Sequence, residues 1–297
     1  MTGFLKGTAT AMITPFRTDG GVDFGSFGAM IEYQIAGGTD MLVILGTTGE
    51  PATMTEEEKT AVMEFAVKKA KGRIKLVFGC GSNCTAHAVE TAKKAEKIGA
   101  DGLLAVTPYY NKCTQNGLIA YYRSICEAVN LPVIAYCVPS RTGVNILPAT
   151  MAKIAELPNM AGLKDASGNM SQTMETLRLI RGKCDLYSGE DALNLPILAV
   201  GGSGVISVLS NLVPADVKKL YNLVQEGNRA EAFALADKLL PLAQACFIEV
   251  NPIPAKAAMN LLGFSAGLPR APLSEIEPAN AARLREAMIA YGLEVKA

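Results

Sequence analysis

Short apolar segments recur along the first three quarters of the chain, and between them the apolar positions fall at helical spacing. The apolar segments lie at 8–13, 41–45, 74–78, 102–106, 132–136, 161–164, 185–188 and 204–207. Continuous apolar runs of this length, separated by helical stretches, predict strands of a buried parallel sheet joined by βαβ crossovers.

The intervening stretches carry helix-end signals. Asp23 is placed to cap a helix that stops at Gly37-Gly38. Thr55 and Glu58 have the spacing of a capping box, and Glu56 and Glu57 complement the positive end of the same helix. Asn83 is a candidate cap for a helix over 84–98, and Pro148 suits the first turn of another.

Eight β/α units within about 225 residues predict an α/β chain folded as a closed (β/α)₈ barrel. The alternative is an open doubly wound sheet. That fold places a Gly-rich loop after its first strand, where this chain has Thr14-Pro15-Phe16. Strand signals end near residue 225. Helical patterns at 229–247, 254–262 and 278–291 follow, the first two joined by the rigid connector Asn251-Pro252-Ile253-Pro254. The expected division is a catalytic barrel over 1–225 and a C-terminal helical region over 226–297.

Composition supports a folded chain with a large aliphatic core. Of 297 residues 49% are hydrophobic and 19% charged, and Trp is absent. The 28 basic residues equal the 28 acidic ones, and no long basic run occurs, which argues against nucleic acid or an anionic membrane as a partner. No stretch approaches the ~20 apolar residues of a membrane span, and the N-terminal residues Met1-Thr2-Gly3-Phe4 do not read as a secretion signal. The expected location is the cytoplasm. Seven irregularly spaced cysteines do not suggest a disulfide framework.

In a barrel of this kind, chemistry gathers at the C-terminal ends of the strands. Lys164 closes the apolar run 160–163 and would be partly desolvated there. Burial disfavours the ammonium form and frees the amine as a nucleophile. The alternative is an exposed lysine, or one paired with Asp165. Thr47, Tyr110 and Tyr136 also follow strands, and their hydroxyls can pass protons without carrying charge; the alternative is a turn cap and two packed rings. Gly46 to Gly49 can present backbone N–H groups to a carboxylate, and Arg141 can grip one with two parallel bonds.

His87 is the only histidine, which excludes a multi-histidine metal site. Cys80, Cys84 and His87 lack a fourth ligand, so no metal is expected. Gly201-Gly202-Ser203-Gly204 precedes a strand, so it does not read as a nucleotide loop.

Six stretches carry a resemblance: GTTGE at 46–50, TPYYN at 107–111, YCVPSRTG at 136–143, GLKDASGN at 162–169, GGSGVIS at 201–207 and NPIPAK at 251–256. In this order and spacing the chain resembles the dihydrodipicolinate synthases, within the pyruvate-dependent class I aldolases that include N-acetylneuraminate lyase. The resemblance spans essentially the whole length. It implies a lyase of lysine and diaminopimelate biosynthesis that condenses pyruvate, held as a Schiff base, with L-aspartate 4-semialdehyde. It implies no metal or organic cofactor, and a homotetramer built from two tight dimers.

Residue by residue, the resemblance makes Lys164 the Schiff-base lysine and Tyr136 the proton donor and acceptor beside it. Thr47 would link Tyr136 to Tyr110, which reaches into the neighbouring subunit's site. Thr48 would hold the pyruvate carboxylate and Arg141 that of the semialdehyde. Gly189 and the backbone of Ile206 would line the site. The rivals are another pyruvate-dependent aldolase, such as N-acetylneuraminate lyase or a 2-keto-3-deoxy sugar acid aldolase, and a noncatalytic barrel that binds small acids. The synthase-like GTTGE and SRTG contexts speak against the first. The intact set of Lys164, Tyr136, Thr47 and Tyr110 speaks against the second.

Two positions depart from the family pattern. Cys137 stands where Asn is common, and a thiol is a weaker hydrogen-bonding group. In lysine-inhibited members an effector pocket uses an Asn, a Glu, a Tyr and often His side chains. Asn83 and Tyr109 match it, but His87 takes the Glu position, and Glu56 and Lys59 take the His positions. Inhibition by lysine is therefore expected to be weak or absent.

Overall fold

The computed structural model describes residues 2–70 and 72–296. Its strands are β1 (Gly7–Ala11), β2 (Met41–Ile44), β3 (Lys75–Gly79), β4 (Gly102–Val106), β5 (Val133–Cys137), β6 (Met160–Asp165), β7 (Asp185–Ser188) and β8 (Gly204–Ser207). They follow one another in chain order in a closed barrel, and the paired registers are parallel. The helices are α1 (Phe24–Ala36), α2 (Glu56–Ala70), α3 (Thr85–Ile98), α4 (Gln115–Ala128), α5 (Pro139–Thr142), α6 (Pro148–Ile154), α7 (Met170–Ile180), α8 (Asn194–Ala199), α9 (Pro214–Gln225), α10 (Arg229–Ala245), α11 (Ile253–Leu261) and α12 (Pro278–Tyr291). The chain is thus the (β/α)₈ barrel that the periodicity predicts, with additional C-terminal helices. Among the described residues no helix is long and apolar enough to cross a membrane.

Two compact units can be distinguished. The first comprises the residues up to Gly7 together with Lys75–Ile206. Its strands β3 to β8 bury nearly every side chain, with Val77, Leu103, Ile134, Ala135 and Leu186 fully enclosed. Such runs suit a sheet covered on both faces, because burying each large aliphatic chain contributes about 1.5–3 kcal/mol.

The second unit comprises Thr8–Ile74 and the residues from Ser207 onward. Here β1 pairs with β2 through Ala9↔Met41 and Ala11↔Val43. The apolar run predicts a strand to residue 13, but β1 ends at Ala11. Beyond it the N–H of Ile13 leaves the ladder and donates to Asn211 Oδ1 at 3.3 Å. Asp23 caps α1, accepting from the Ser26 N–H at 2.9 Å. Thr55 and Glu58 form the capping box of α2 in both directions, at 3.2 and 3.0 Å.

Two local expectations are corrected. Asn83 does not cap α3. Cys84 takes the extended cap position, so the helix begins one residue later, and the Asn83 carbonyl accepts from Asn111 Nδ2 at 3.0 Å. The connector at 251–254 is also only half a connector, because α11 starts at Ile253 and Pro254 sits in its first turn, where a proline's missing N–H is harmless.

Candidate active site

Lys164 lies near the end of β6 and is 4% exposed. Its register partner on β5 is Tyr136, and its partner on β7 is Tyr187. Register partners on parallel strands point to the same face. Lys164 Nζ accordingly lies 4.4 Å from the centroid of the Tyr136 ring. Burial pushes the Lys164 ammonium down to about 8 from the usual 10.5; the carboxylate of Asp191 opposes the shift and the nearby Arg141 charge adds to it.

Both alternatives for Lys164 fail on this geometry. It is buried, and Asp165 points to the opposite face of β6. There Asp165 accepts from Thr173 Oγ1 at 2.6 Å and from the Ser167 N–H at 2.9 Å.

Glycines make room for the lysine. A Cβ at Gly189 would stand 2.9 Å from Lys164 Cγ and 3.0 Å from its Cε. The Gly189 N–H donates to the Asp165 carbonyl at 2.7 Å, which fixes this close approach. A Cβ at Gly162 would stand 2.6 Å from the Tyr187 ring, so the missing side chain at 162 allows that ring to lie beside β6.

Arg141 lies in α5, directly after β5, and its side chain is exposed. The short helix is pinned by Thr142, whose hydroxyl bonds Thr107 Oγ1 at 3.0 Å and the Val138 and Val144 carbonyls. Cys137 helps to hold the loop that follows: its thiol donates to Asn145 Oδ1 at 3.2 Å, and the Ile146 N–H donates to its sulfur at 3.4 Å. Burial pushes that thiol up to about 12, so it stays protonated and serves as a small polar packing group.

Lys164, Tyr136 and Gly189 are therefore brought together, with Arg141 and Asp191 within electrostatic reach of the lysine. Ile206 is fully buried on β8. Tyr110 is placed differently. It has a left-handed φ of 69° and is 91% exposed, whereas the neighbouring Tyr109 is 39% exposed. A non-glycine residue in this conformation is uncommon. Asn83 and His87 stand at the start of α3, Asn83 half-buried and His87 exposed.

In the second unit, Thr47 and Thr48 lie in a single 3₁₀ turn, Thr47–Gly49, directly after β2. Thr48 is buried, and its hydroxyl accepts from Asn251 Nδ2 at 2.9 Å. The Thr14 hydroxyl donates to the Gly49 carbonyl at 2.7 Å. Glu50 and Lys256 form an ion pair of 2.7 Å whose side chains are 1% and 0% exposed. Sequence reasoning assigned no role to Asp191, Asn251, Glu50 or Lys256. The last three work through contacts more than 200 residues apart, which leave no local period to read.

The chain matches the model of the dihydrodipicolinate synthetase family over residues 4–290. It is 47% identical over 291 residues to a 4-hydroxy-tetrahydrodipicolinate synthase of Caldicellulosiruptor bescii, with 98% of each chain covered. Among solved structures, the dihydrodipicolinate synthase of Aquifex aeolicus superposes with a TM-score of 0.96 at 42% identity, covering 99% of this chain and all of that one. The Cyanidioschyzon merolae enzyme, solved with lysine bound, gives a TM-score of 0.95 at 40% identity over 98% of this chain and 99% of that one.

Proposed function

The chain belongs to the dihydrodipicolinate synthetase family, and on that premise we propose that it condenses pyruvate with L-aspartate 4-semialdehyde to give 4-hydroxy-tetrahydrodipicolinate, through a Schiff base on Lys164. The observation that carries the reading is the buried Lys164, its ammonium form disfavoured by desolvation, held against the Tyr136 ring.

The chemistry runs in four steps. The Lys164 amine adds to the ketone carbon of pyruvate and water leaves, giving an imine. The methyl group loses a proton and becomes the nucleophilic carbon of an enamine. That carbon bonds to the aldehyde carbon of the semialdehyde, whose oxygen takes up a proton. The substrate's own amine then adds to the imine carbon, and the lysine departs as an amine. Each proton must enter or leave beside Lys164, and the Tyr136 hydroxyl is the group suited to carry it. Thr47 and Tyr110 keep the relay roles that the resemblance implies. Thr48 receives the pyruvate carboxylate, Arg141 the semialdehyde carboxylate, and Gly189 and Ile206 line the space. The activity belongs to lysine and diaminopimelate biosynthesis.

The assembly we assign is a dimer of dimers. The exposed Tyr110, in a left-handed conformation that is uncommon for a non-glycine residue, supports a partner subunit at that surface. The assigned location is the cytoplasm, and the absence of a membrane-spanning helix among the described residues suits it.

The test is intact mass after pyruvate and borohydride, on the wild type and on Lys164→Ala. Reduction traps the imine as a stable adduct. An adduct in the wild type that vanishes in the variant supports the mechanism, and a folded wild type without adduct overturns it.

A further inference from the structure

The 46–50 turn sits between two strained points. Leu45 has φ 56° and Glu50 has φ 55°, both left-handed. Side chains with a Cβ rarely adopt this region, and such residues persist only where their surroundings over-determine them. For Glu50 those surroundings are visible. One carboxylate oxygen accepts from Lys256 Nζ at 2.7 Å, and the other from the Arg270 N–H at 2.9 Å. The Glu50 carbonyl accepts from the Thr53 N–H at 3.1 Å.

Lys256 is equally constrained. Its ammonium also donates to the Leu268 carbonyl at 3.1 Å and lies 4.0 Å from the centroid of the Phe16 ring. The segment that carries it grips the turn twice, because Asn251 bonds the Thr48 hydroxyl while Lys256 bonds Glu50. The grips fall on either side of Gly49, where a Cβ would stand 3.3 Å from both the Met12 carbonyl oxygen and Thr14 Oγ1.

A buried ion pair is a weak source of net stability, since desolvation offsets most of its attraction. What such a pair supplies is a fixed geometry. We infer that Lys256, through its buried pair with Glu50, is a positioning residue for pyruvate binding: it holds the 46–50 turn in the conformation in which Thr48 meets the pyruvate carboxylate and Thr47 stands in the relay. The inference rests on the roles given to those threonines above. Lys256 does not touch the reacting atoms. Its ammonium is already committed to Glu50, Leu268 and the Phe16 ring.

Two variants test it. Glu50→Gln with Lys256→Met removes both charges together, so no unpaired charge is left inside. Lys256→Arg keeps the charge and replaces the single donor point with a planar fork. Each is checked for a cooperative thermal transition. The pyruvate concentration for half-maximal borohydride-trapped adduct is then measured, together with the KM for each substrate and kcat. In folded variants the half-saturating pyruvate concentration and the pyruvate KM are expected to rise about tenfold or more, while the semialdehyde KM stays within about twofold. A lowered melting temperature with unchanged pyruvate half-saturation would mean a purely structural pair and overturn the inference. The wild type separates the two readings. If it forms no adduct, the proposed function has failed; if it forms a normal adduct and both folded variants match it, only the role of Lys256 has failed.

Discussion

Lys164 Nζ lies 4.4 Å from the centroid of the Tyr136 ring, and the two residues are register partners on adjacent strands. A flat ring face is a good neighbour for a cation, but it cannot replace the water that burial removes, so the amine form gains. With the lysine near 8, the rate of pyruvate adduct formation at limiting pyruvate should rise with pH through about 8 and then level off. The check is the initial rate of borohydride-trapped adduct from pH 6.5 to 10. A midpoint near the ordinary lysine value would contradict the desolvated site.

The same shift has a stability consequence of defined sign. The folded pKa lies below the unfolded one, so between about 8 and 10.5 the unfolded chain holds the extra proton and stability rises with pH. Below about 8 the full cost of burying the ammonium is present. Lys164→Met should therefore stabilise the protein at pH 7, by ~1–3 kcal/mol, while abolishing activity. Thermal unfolding at pH 7 and again at pH 10 measures it, and the gain should shrink at the higher pH.

Gly189→Ala should damage catalysis without unfolding the barrel. The new methyl group would meet Lys164 Cγ at 2.9 Å and the Asp165 carbonyl at 3.0 Å. The carbonyl is tied to the Gly189 N–H, so the lysine chain is the part free to move. A displacement on the order of 1 Å at the nucleophile costs about 10²-fold in rate. The expected result is a fall of that order in kcat/KM with an unchanged far-ultraviolet dichroism spectrum.

Tyr136→Phe keeps the ring beside Lys164 and removes only the hydroxyl. If that hydroxyl moves protons, kcat should fall by about 10²–10⁴-fold, while prolonged incubation with pyruvate and borohydride still yields the adduct. Retention of more than about a tenth of the wild-type kcat would remove Tyr136 from the proton path.

The sequence made the fold legible because the strands are short, mostly apolar runs and the first helices carry end signals of their own. The Asp23 cap and the Thr55–Glu58 box are local, so residue identities alone sufficed to find them. Asn83 shows the limit of that logic. Its side chain suits a cap, but the backbone turns into the helix one residue later, at Cys84. In the site, Lys164 could be singled out because the apolar run before it forecast burial. Asp191 gave no such signal: it is one acid in a polar loop, and only folding sets it where its charge is felt by the lysine. Glu50 and Lys256 were hidden for the same reason, being neighbours in space and 206 positions apart in sequence.

The start of α3 carries the last expectation. Lysine, as an effector, brings two ammonium groups, and the family resemblance implies that His87 stands where lysine-inhibited members carry the acid that faces one of them. An imidazole offers no fixed negative charge. His87 is exposed, so its side chain is free to be exchanged without disturbing the core, and the Asn83 carbonyl beside it is already engaged by Asn111. The wild type should show no inhibition below about 1 mM lysine. His87→Glu should increase sensitivity, by about tenfold if the restored carboxylate contributes ~1.4 kcal/mol. A lysine titration of the initial rate decides it. Submillimolar inhibition of the wild type would show that the effector is held without an acid at position 87, and an unresponsive His87→Glu would show that more than this one charge separates the chain from its lysine-sensitive relatives.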